Sequence, residues 1–338
     1  MSVPLSILDL ADLGPAETIP DRLASSMELA QHAEGWGYHR IWYAEHHNMA
    51  TIASAATSVL IAHVAAHTRT IRLGSGGVML PNHSPLVIAE QFGTLASLHP
   101  GRIDLGLGRA PGTDQQTFRA LRRHPASAER FPDDVLELQG YLSETSLVEG
   151  VHATPGRGTQ VPLYILGSSL FGAQLAAQLG LPYAFASHFA PDALEQAVAA
   201  YRSGFRPSEQ LERPHVIAGV NVIAADDPAD ADQQLQVAKR RRAKLLLGRG
   251  RSYSDDELDL LLDSPSAAPV LQMLRYTGVG TADEVVRYLE RFAEHADADE
   301  LILAASATDQ TRRLRTFELI ARERAGERVR GPRTTRTA

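Results

Sequence analysis

The stretch from Ile71 to Arg109 reads IRLGSGGVMLPNHSPLVIAEQFGTLASLHPGRIDLGLGR. It begins and ends with a short apolar run that contains glycine, which is typical of a buried β-strand. Between these runs, Pro85 to Leu98 has the apolar periodicity of a helix. The stretch therefore predicts a β-α-β unit with parallel strands.

The same alternation of strand and helix extends along the chain. The eight predicted strands are Leu5 to Asp9, Arg40 to Ala44, Ile71 to Gly76, Ile103 to Gly108, Leu163 to Gly167, Ala184 to Ser187, Val216 to Ala224 and Glu300 to Ala304. Eight repeats of this kind predict the α/β class and a (β/α)8 TIM barrel. The competing doubly wound sheet needs a G-x-G-x-x-G loop, and the nearest match, Gly106 to Gly112, has its third glycine one place late and is interrupted by Pro111.

The chain is predicted to form a single barrel domain over residues 1–325. Insertions around 110–160 and 248–280 exceed ordinary barrel connections, and we expect these excursions at the carboxyl-terminal face as lids or substrate walls. Residues 326–338, GERVRGPRTTRTA, have almost no apolar side chain to bury. They are predicted to be a disordered basic tail.

Composition excludes several classes of function. The 338 residues include no cysteine, which rules out disulfides, thiolate metal sites and cysteine nucleophiles. The net charge of −7 argues against nucleic-acid binding. No apolar run is long enough for a membrane span, and the amino-terminal residues lack a secretory pattern. We therefore expect a cytoplasmic protein with no nucleic-acid or membrane partner.

Unusual residues follow four consecutive predicted strands. In chain order they are Glu45 with His46 and His47, the pair Gly76 and Gly77, Arg109, and Ser168 with Ser169. The carboxyl ends of the strands form the active site of a barrel. These residues are therefore expected to share one site.

The residue types indicate a flat phosphorylated ligand beside a group that handles protons. A neutral imidazole at His46 or His47 can relay a proton near pH 7. Paired glycines let a flat ligand approach the backbone, an arginine suits an anion, and the amides at a helix start bind phosphate. An ordinary structural role stays open for each feature: histidines bonded to carbonyls, a β-bulge, a salt bridge at Arg109, and N-capping by a serine.

Two other patterns are less informative. The basic run Lys239 to Lys244 is typical of a solvated helix face, although contact with an anionic cofactor tail stays open. His63 and His67 share a helix face, but the zinc-protease pattern requires glutamate where Val64 stands. No metal site is predicted.

Taken together, these motifs resemble the bacterial luciferase-like family of flavin-dependent monooxygenases. The resemblance spans Leu5 to Glu323 and rests on GWGYHRIWYAEHHN, TRTIRLGSGGVMLPNHSPLVIAEQFGTLASLHPGRIDLGLGRAPG, PLYILGSSLFGAQLAAQLGLPYAFASHF and VGTADEVVRYLERF. It implies a luciferase-like TIM barrel that uses reduced FMN and O2, through a flavin C4a-hydroperoxide, to oxygenate a small organic substrate. It also implies a separate flavin reductase as partner and a homodimer.

The resemblance assigns roles to individual residues. His46 matches the family's catalytic histidine, and the Gly76-Gly77 bond matches its non-proline cis peptide beneath the flavin ring. The implied cofactor-binding residues are Gly76, Gly77, Arg109, Ser168, Ser169 and Gly172. The expected substrate-pocket residues are Asp9, His47, Gly108 and His188. Gly108 stands where bacterial luciferase has a cysteine, so the resemblance implies a different pocket shape.

Two other functions stay open at this point. Relatives with the same barrel use the deazaflavin F420 for hydride transfer, and a basic groove involving Arg249 and Arg251 would favour that cofactor. A non-catalytic flavin-binding protein is the second alternative. The intact His46 and the long 248–280 segment argue against such a loss of activity.

Overall fold

The eight predicted strands are all present. The computed structural model describes residues 3–14, 17–110, 113–247, 251, 253–307 and 309–326. Its strands are β1 (Leu5–Asp9), β2 (Arg40–Tyr43), β3 (Arg72–Met79), β4 (Ile103–Gly108), β5 (Leu163–Gly167), β6 (Tyr183–Phe185), β7 (Val216–Ala224), the unpredicted β8 (Thr277–Gly280) and β9 (Glu300–Ala305). Most strand residues are buried, because helices cover the outer face of the sheet.

Eight of these strands form a closed ring. Neighbouring strands are parallel in the order β6-β5-β4-β3-β2-β1-β9-β7, and the pairing of β6 with β7 closes the ring. The predicted (β/α)8 barrel is therefore confirmed. β8 lies outside the ring and pairs with residues 221–224 at the carboxyl end of β7.

Helices connect the strands and surround the ring. They are α1 (Ile19–Gly35), α2 (Thr57–Ala66), α3 (Pro85–Leu98), α4 (Gln115–Ala120), α5 (Phe131–Leu142), α6 (Leu170–Leu179), α7 (Leu194–Gly204), α8 (Pro228–Leu247), α9 (Asp255–Leu262), α10 (Ala268–Met273), α11 (Ala282–His295) and α12 (Gln310–Arg324). Local sequence sets several of their ends: a capping box at Thr18 begins α1, and Gly180 at φ 65° ends α6. In the described part of the chain, no helix has both the length and the apolarity of a membrane span.

An apolar cluster fills the middle of the barrel. Its members are Leu8, Trp42, Tyr164, Ala184, Ile217 and Ile302. These side chains come from six different strands of the ring, so they can meet only inside it. Because side chains alternate along a strand, the cluster shows which positions of each strand face inward.

Charged side chains fill the barrel toward the amino-terminal ends of the strands. Arg40 donates to Asp104 at 2.8 Å and to Glu300 at 3.0 Å, and Arg72 also pairs with Asp104. Burial alone lowers the pKa of Arg40, but Asp104 and Glu300 outweigh it and raise that pKa. These four residues are called the amino-end charge layer below. Each of its charges lies beside an opposite charge, as buried charges require.

The long segments do not all lie where we expected them. Residues 109–130 follow β4 and lie at the carboxyl end of the barrel. Residues 143–162 connect the end of α5 to the start of β5. In a barrel, such a connection lies at the amino-terminal face. The prediction that this segment belongs to the carboxyl-terminal face is therefore wrong. Residues 327–338 of the predicted tail lie outside the described residues.

Candidate active site

Small residues line the barrel at the carboxyl ends of its strands, a region called the mouth below. The alternation along each strand places them inward, beyond the apolar cluster. They are Ala44, Gly76, Gly108, Gly219 and Ala304. These five residues contribute little side-chain volume to the mouth, in contrast with the charged side chains of the amino-end charge layer.

Three side chains form a hydrogen-bonded group just after β2. The Oε1 atom of the buried Glu45 accepts from Nε2 of His47 at 2.9 Å and interacts with Nε2 of His83 at 2.8 Å. Its Oε2 atom accepts from the backbone N–H of Met79 at 3.2 Å. Burial raises the pKa of Glu45, but the histidine hydrogen bonds outweigh it and lower that pKa overall. The hydrogen bond to Glu45 raises the pKa of His47.

This group also has a spacing that a metal ion can use. One ligand atom each from Glu45, His47 and His83 lies within 4.8 Å of the other two. In the structure, however, the carboxylate holds both imidazoles by hydrogen bonds. We call the three residues the Glu45 clamp, because they tie the end of β2 to the chain that follows β3.

His46 stands apart from the Glu45 clamp. Its backbone N–H donates to the carbonyl of Ser54 at 3.0 Å. Its Nδ1 atom is buried and has no hydrogen-bond partner among the described residues. Burial lowers the pKa of His46, although Glu45 acts in the opposite direction. A neutral imidazole with an unsatisfied nitrogen is suited to accept a proton.

Gly76 and Gly77 present bare backbone on the strand next to His46. The peptide bond between them is cis, as the resemblance implies. The pairing of β3 with β4 also shifts register between Ser75 and Val78, so the bulge interpretation holds as well. A Cβ atom on Gly77 would lie 2.8 Å from the carbonyl oxygen of Gly106. We call Gly76 and Gly77 the glycine platform, because neither residue has a side chain and the backbone of Gly76 is partly exposed.

Arg109 meets the start of α6. Its guanidinium lies over the ring of Phe171, 4.2 Å from the ring centre, and it has no ion pair within the described ranges. Ser169 occupies the N-cap position, but its side chain makes no capping hydrogen bond. Ser168 and Ser169 are exposed, while Gly172 is buried. A cation beside uncapped helix amides fits a phosphate group.

The predicted pocket residues have different environments. The Asp9 carboxylate bonds to Arg22 at 2.5 Å and to Ser26 at 2.6 Å, so it faces α1 and not the mouth. Gly108 faces inward at the end of β4. His188 is buried near the mouth, and its Nδ1 atom has no partner among the residues described. Burial, followed by the charge of Arg242, lowers the pKa of His188 to about 4.

Known proteins share this sequence and fold. The family model for luciferase-like monooxygenases matches residues 3–300. A luciferase-like monooxygenase from Escherichia coli (strain K12) is 48% identical over 321 residues, which cover 94% of this chain and 96% of that protein. The chain belongs to the luciferase-like monooxygenase family.

Other members of this family cover similar lengths. An N-acetyl-S-alkylcysteine monooxygenase from Bacillus subtilis (strain 168) is 32% identical over 329 residues, 94% of this chain and 97% of that protein. The crystal structure of apo-MsnO8 is 35% identical, with a TM-score of 0.87 over 97% of this chain and 100% of its own.

More distant structures share the fold alone and differ in cofactor. The oxygenating constituent of 3,6-diketocamphane monooxygenase from Pseudomonas putida, in complex with FMN, has a TM-score of 0.72 at 16% identity. An F420-dependent secondary alcohol dehydrogenase has a TM-score of 0.69 at 18% identity. Each of the two matches covers 97% of this chain and 100% of the other chain. The fold thus accommodates a flavin or a deazaflavin.

The sequence analysis missed several residues near the site. His83 completes the Glu45 clamp, yet no spacing rule connects it with Glu45. Asn221 is fully buried in β7, and as the lone polar residue of VIAGVNVIA it carried a signal that could have found it. Of the two arginines that would favour F420, Arg249 lies outside the described residues and Arg251 is exposed.

The basic run in α8 is only partly solvated, because Lys239 to Arg242 are half-buried while Lys244 is exposed. Arg240 donates to Asp259 at 2.7 Å, and Arg241 donates to the carbonyl of Leu13 at 2.8 Å. Arg242 lies close enough to His188 to affect its pKa. The prediction of a solvated helix face is therefore wrong for Arg240 and Arg241, because segments distant in sequence cover them, and it holds for Lys244.

Proposed function

We propose that this protein is a monooxygenase that uses reduced FMN and O2 to oxygenate a small organic substrate. The observation that carries the proposal is the arrangement of four consecutive strand ends. His46 follows β2, the glycine platform lies in β3, Arg109 follows β4, and the start of α6 follows β5. Membership in the luciferase-like monooxygenase family supports the class of reaction.

The residues at the mouth fit FMN in both shape and charge. The glycine platform offers the partly exposed backbone of Gly76 to the flat ring. Arg109, Ser168, Ser169 and the amide of Gly172 would hold the phosphate, since none of their side chains is used in an ion pair or a cap within the described part of the chain. Reduced FMN would supply the electrons that activate O2.

Each group of this chain then has one task. Arg109 and α6 fix the position of the cofactor, and the glycine platform orients its ring. The Nδ1 atom of His46, kept unprotonated by burial, accepts a proton during oxygen transfer. The segment of residues 248–280 after α8 acts as a lid that excludes water from the reaction.

Partners and location are part of the same proposal. A separate flavin reductase supplies the reduced FMN, and the protein acts as a homodimer in the cytoplasm. The resemblance to the luciferase-like family supports the reductase and the dimer, and the absence of cysteine is typical of a reducing compartment. The relative named for N-acetyl-S-alkylcysteine supports a small organic molecule as substrate.

Rapid mixing tests the proposal. The protein is loaded with reduced FMN without oxygen and mixed with oxygenated buffer, and the flavin spectrum is followed by stopped flow. We expect a long-lived spectrum that differs from both reduced and oxidised FMN. If reduced FMN fails to bind, or reoxidises as it does free in solution, the proposal fails and F420 is the next cofactor to test.

His46→Ala tests the proton-handling role. Loss of a general acid–base group lowers turnover by about 10²–10⁴-fold. The dissociation constant of reduced FMN should stay close to the wild-type value, because His46 does not hold the phosphate. His63→Ala, at an exposed position on α2, is the matched control and should leave both quantities unchanged. Equal losses of turnover and FMN binding in His46→Ala would remove His46 from this role.

A further inference from the structure

We propose that the barrel wall opposite the glycine platform binds the substrate and selects a small organic acid that also carries an N–H or O–H group. This wall consists of His188, Asn221 and Arg242 and is called the opposite wall below. The inference rests on the proposed function, because it names the substrate class of the same site.

The topology of the ring places Asn221 and His188 across from the cofactor groups. In a closed ring of eight strands, the strand opposite any other lies four positions away. β7 is opposite β3, and β6 is opposite β2. Asn221 in β7 therefore faces the glycine platform, and His188 after β6 faces His46. A molecule lying between these two sides contacts the opposite wall.

Asn221 has an acceptor that lacks a donor. Its Nδ2 atom donates to the backbone carbonyl of His188 at 2.8 Å, which fixes the orientation of the amide. Its Oδ1 atom is then buried without a hydrogen-bond partner among the described residues. Asn221 lies four residues after Ile217 of the apolar cluster, so it also faces inward. A ligand that donates an N–H or O–H would satisfy this acceptor.

His188 extends the same unsatisfied surface. Gly219 makes room for its ring, because a Cβ atom there would overlap the Nδ1 atom of His188. This Nδ1 atom is buried and has no partner within the described residues. Since the imidazole is neutral at pH 7, it adds hydrogen-bonding capacity to the wall without adding charge.

Arg242 supplies the charge. It follows Ala231 and Ala238 on one face of α8, and these alanines pack on Ile223 near the end of β7. In the part of the chain that the structure describes, its guanidinium has neither an ion pair nor a hydrogen bond, unlike Arg240 and Arg241 beside it. Burial lowers the pKa of Arg242. A partly buried cation with no partner favours an anionic ligand.

The surrounding charges do not cancel this cation. Asp12 is the acid whose charge acts on Arg242. Its carboxylate also lies 3.6 Å from Arg241 and 3.6 Å from Arg313. One carboxylate thus faces three guanidinium groups, so this side of the mouth keeps an excess of positive charge. A carboxylate suits the planar donors of Arg242, and an adjacent N–H or O–H suits Asn221.

A pair of probes that differ by one charge tests the proposal. N-acetyl-L-methionine combines a carboxylate, an amide N–H and an oxidisable sulfur, and its methyl ester replaces the charged carboxylate with a neutral ester. Binding to the full chain without flavin is measured by isothermal titration calorimetry. We expect the acid to bind about 10-fold to 100-fold more tightly than the ester, as a charge-assisted hydrogen bond implies.

Two variants locate the effect. Arg242→Gln should abolish the preference for the acid and leave binding of the ester unchanged. Lys239→Gln removes the same charge from the same helix and should keep the preference. If Arg242→Gln does not fold, Arg242→Lys keeps the charge without the planar donors and should give an intermediate preference.

Several results would overturn the inference. They are equal binding of acid and ester by the wild type, binding of neither probe, and equal loss of preference in both variants. Titration of reduced FMN on the same preparations separates this inference from the proposed function. Acid binding without FMN binding removes the proposed function and leaves the anion site. FMN binding without a preference for the acid removes the anion site and leaves the proposed function.

Discussion

In the amino-end charge layer, every charged side chain lies beside an opposite charge, whereas at the mouth His46, His188 and Asn221 each keep a buried polar atom with no partner in the described residues. Both regions lie inside the same barrel and are made by the same strands. Paired groups hold the fold together, while unpaired groups lower its stability until a ligand satisfies them. From this difference we infer that ligands bind at the mouth.

Breaking the amino-end charge layer should have the largest effect. Asp104→Asn leaves Arg40 buried beside a weaker acceptor, and removing one partner of a buried ion pair costs about 3–5 kcal/mol. Urea unfolding should show this loss of free energy of unfolding. Glu144→Gln is the control, since its pair with Arg157 is exposed and should contribute less than about 1 kcal/mol. Similar losses in both variants would show that burial does not distinguish the two pairs.

Protonation at the mouth should have the next largest effect. The unfolded chain protonates His188 near its ordinary pKa of 6.5, but the folded protein does so only at about 4. The contribution to stability is therefore complete above pH 6.5 and is lost as pH falls from 6.5 to about 4, by about 3 kcal/mol in total.

Unfolding free energies measured across that pH range check this expectation. His188→Phe should flatten the fall, because the group that titrates is gone. The exposed His63→Phe should retain the wild-type profile. If wild type and His188→Phe give parallel curves, the buried imidazole is not the source of the pH dependence.

The smallest effect is expected at the start of α6. Ser169→Ala should change the free energy of unfolding by less than about 0.5 kcal/mol, because this serine makes no capping bond. Ser254→Ala should cost about 1 kcal/mol, because Ser254 accepts from the N–H of Glu257 at 3.3 Å. Only Ser169→Ala should weaken FMN binding. A loss of about 1 kcal/mol at Ser169 would make it an ordinary cap.

The ring of strands could be predicted from the sequence. The same is true of the side of the mouth formed by the ends of β2, β3, β4 and β5. Strands buried on both faces are continuously apolar, so their ends are visible, and the barrel rule brings those ends together. β8 was missed because TGVG is four residues long with two glycines, and it forms only where β7 continues beyond the ring.

Of the opposite wall, only His188 was expected from the sequence, and Asn221 and Arg242 could not be predicted in the same way. Asn221 lies within a strand and not at its end, so the strand-end rule did not select it. Arg242 belongs to a basic run whose neighbours come from residues far away in sequence, such as Leu13 and Asp259. The periodicity of a helix shows that it has faces, but it does not show which other segment each face meets.

The pairing of β8 with the end of β7 has a consequence for how this protein can change. The chain leaves the barrel after Ala224 and returns beside the same strand at Thr277. The intervening segment is thus a single closed loop. The entropic cost of closing such a loop, expressed as free energy, rises by only about 0.6 kcal/mol for each doubling of its length. Insertions, deletions or exchange of this one continuous segment leave the pairing of β7 with β9 intact. This segment can therefore diversify independently of the barrel.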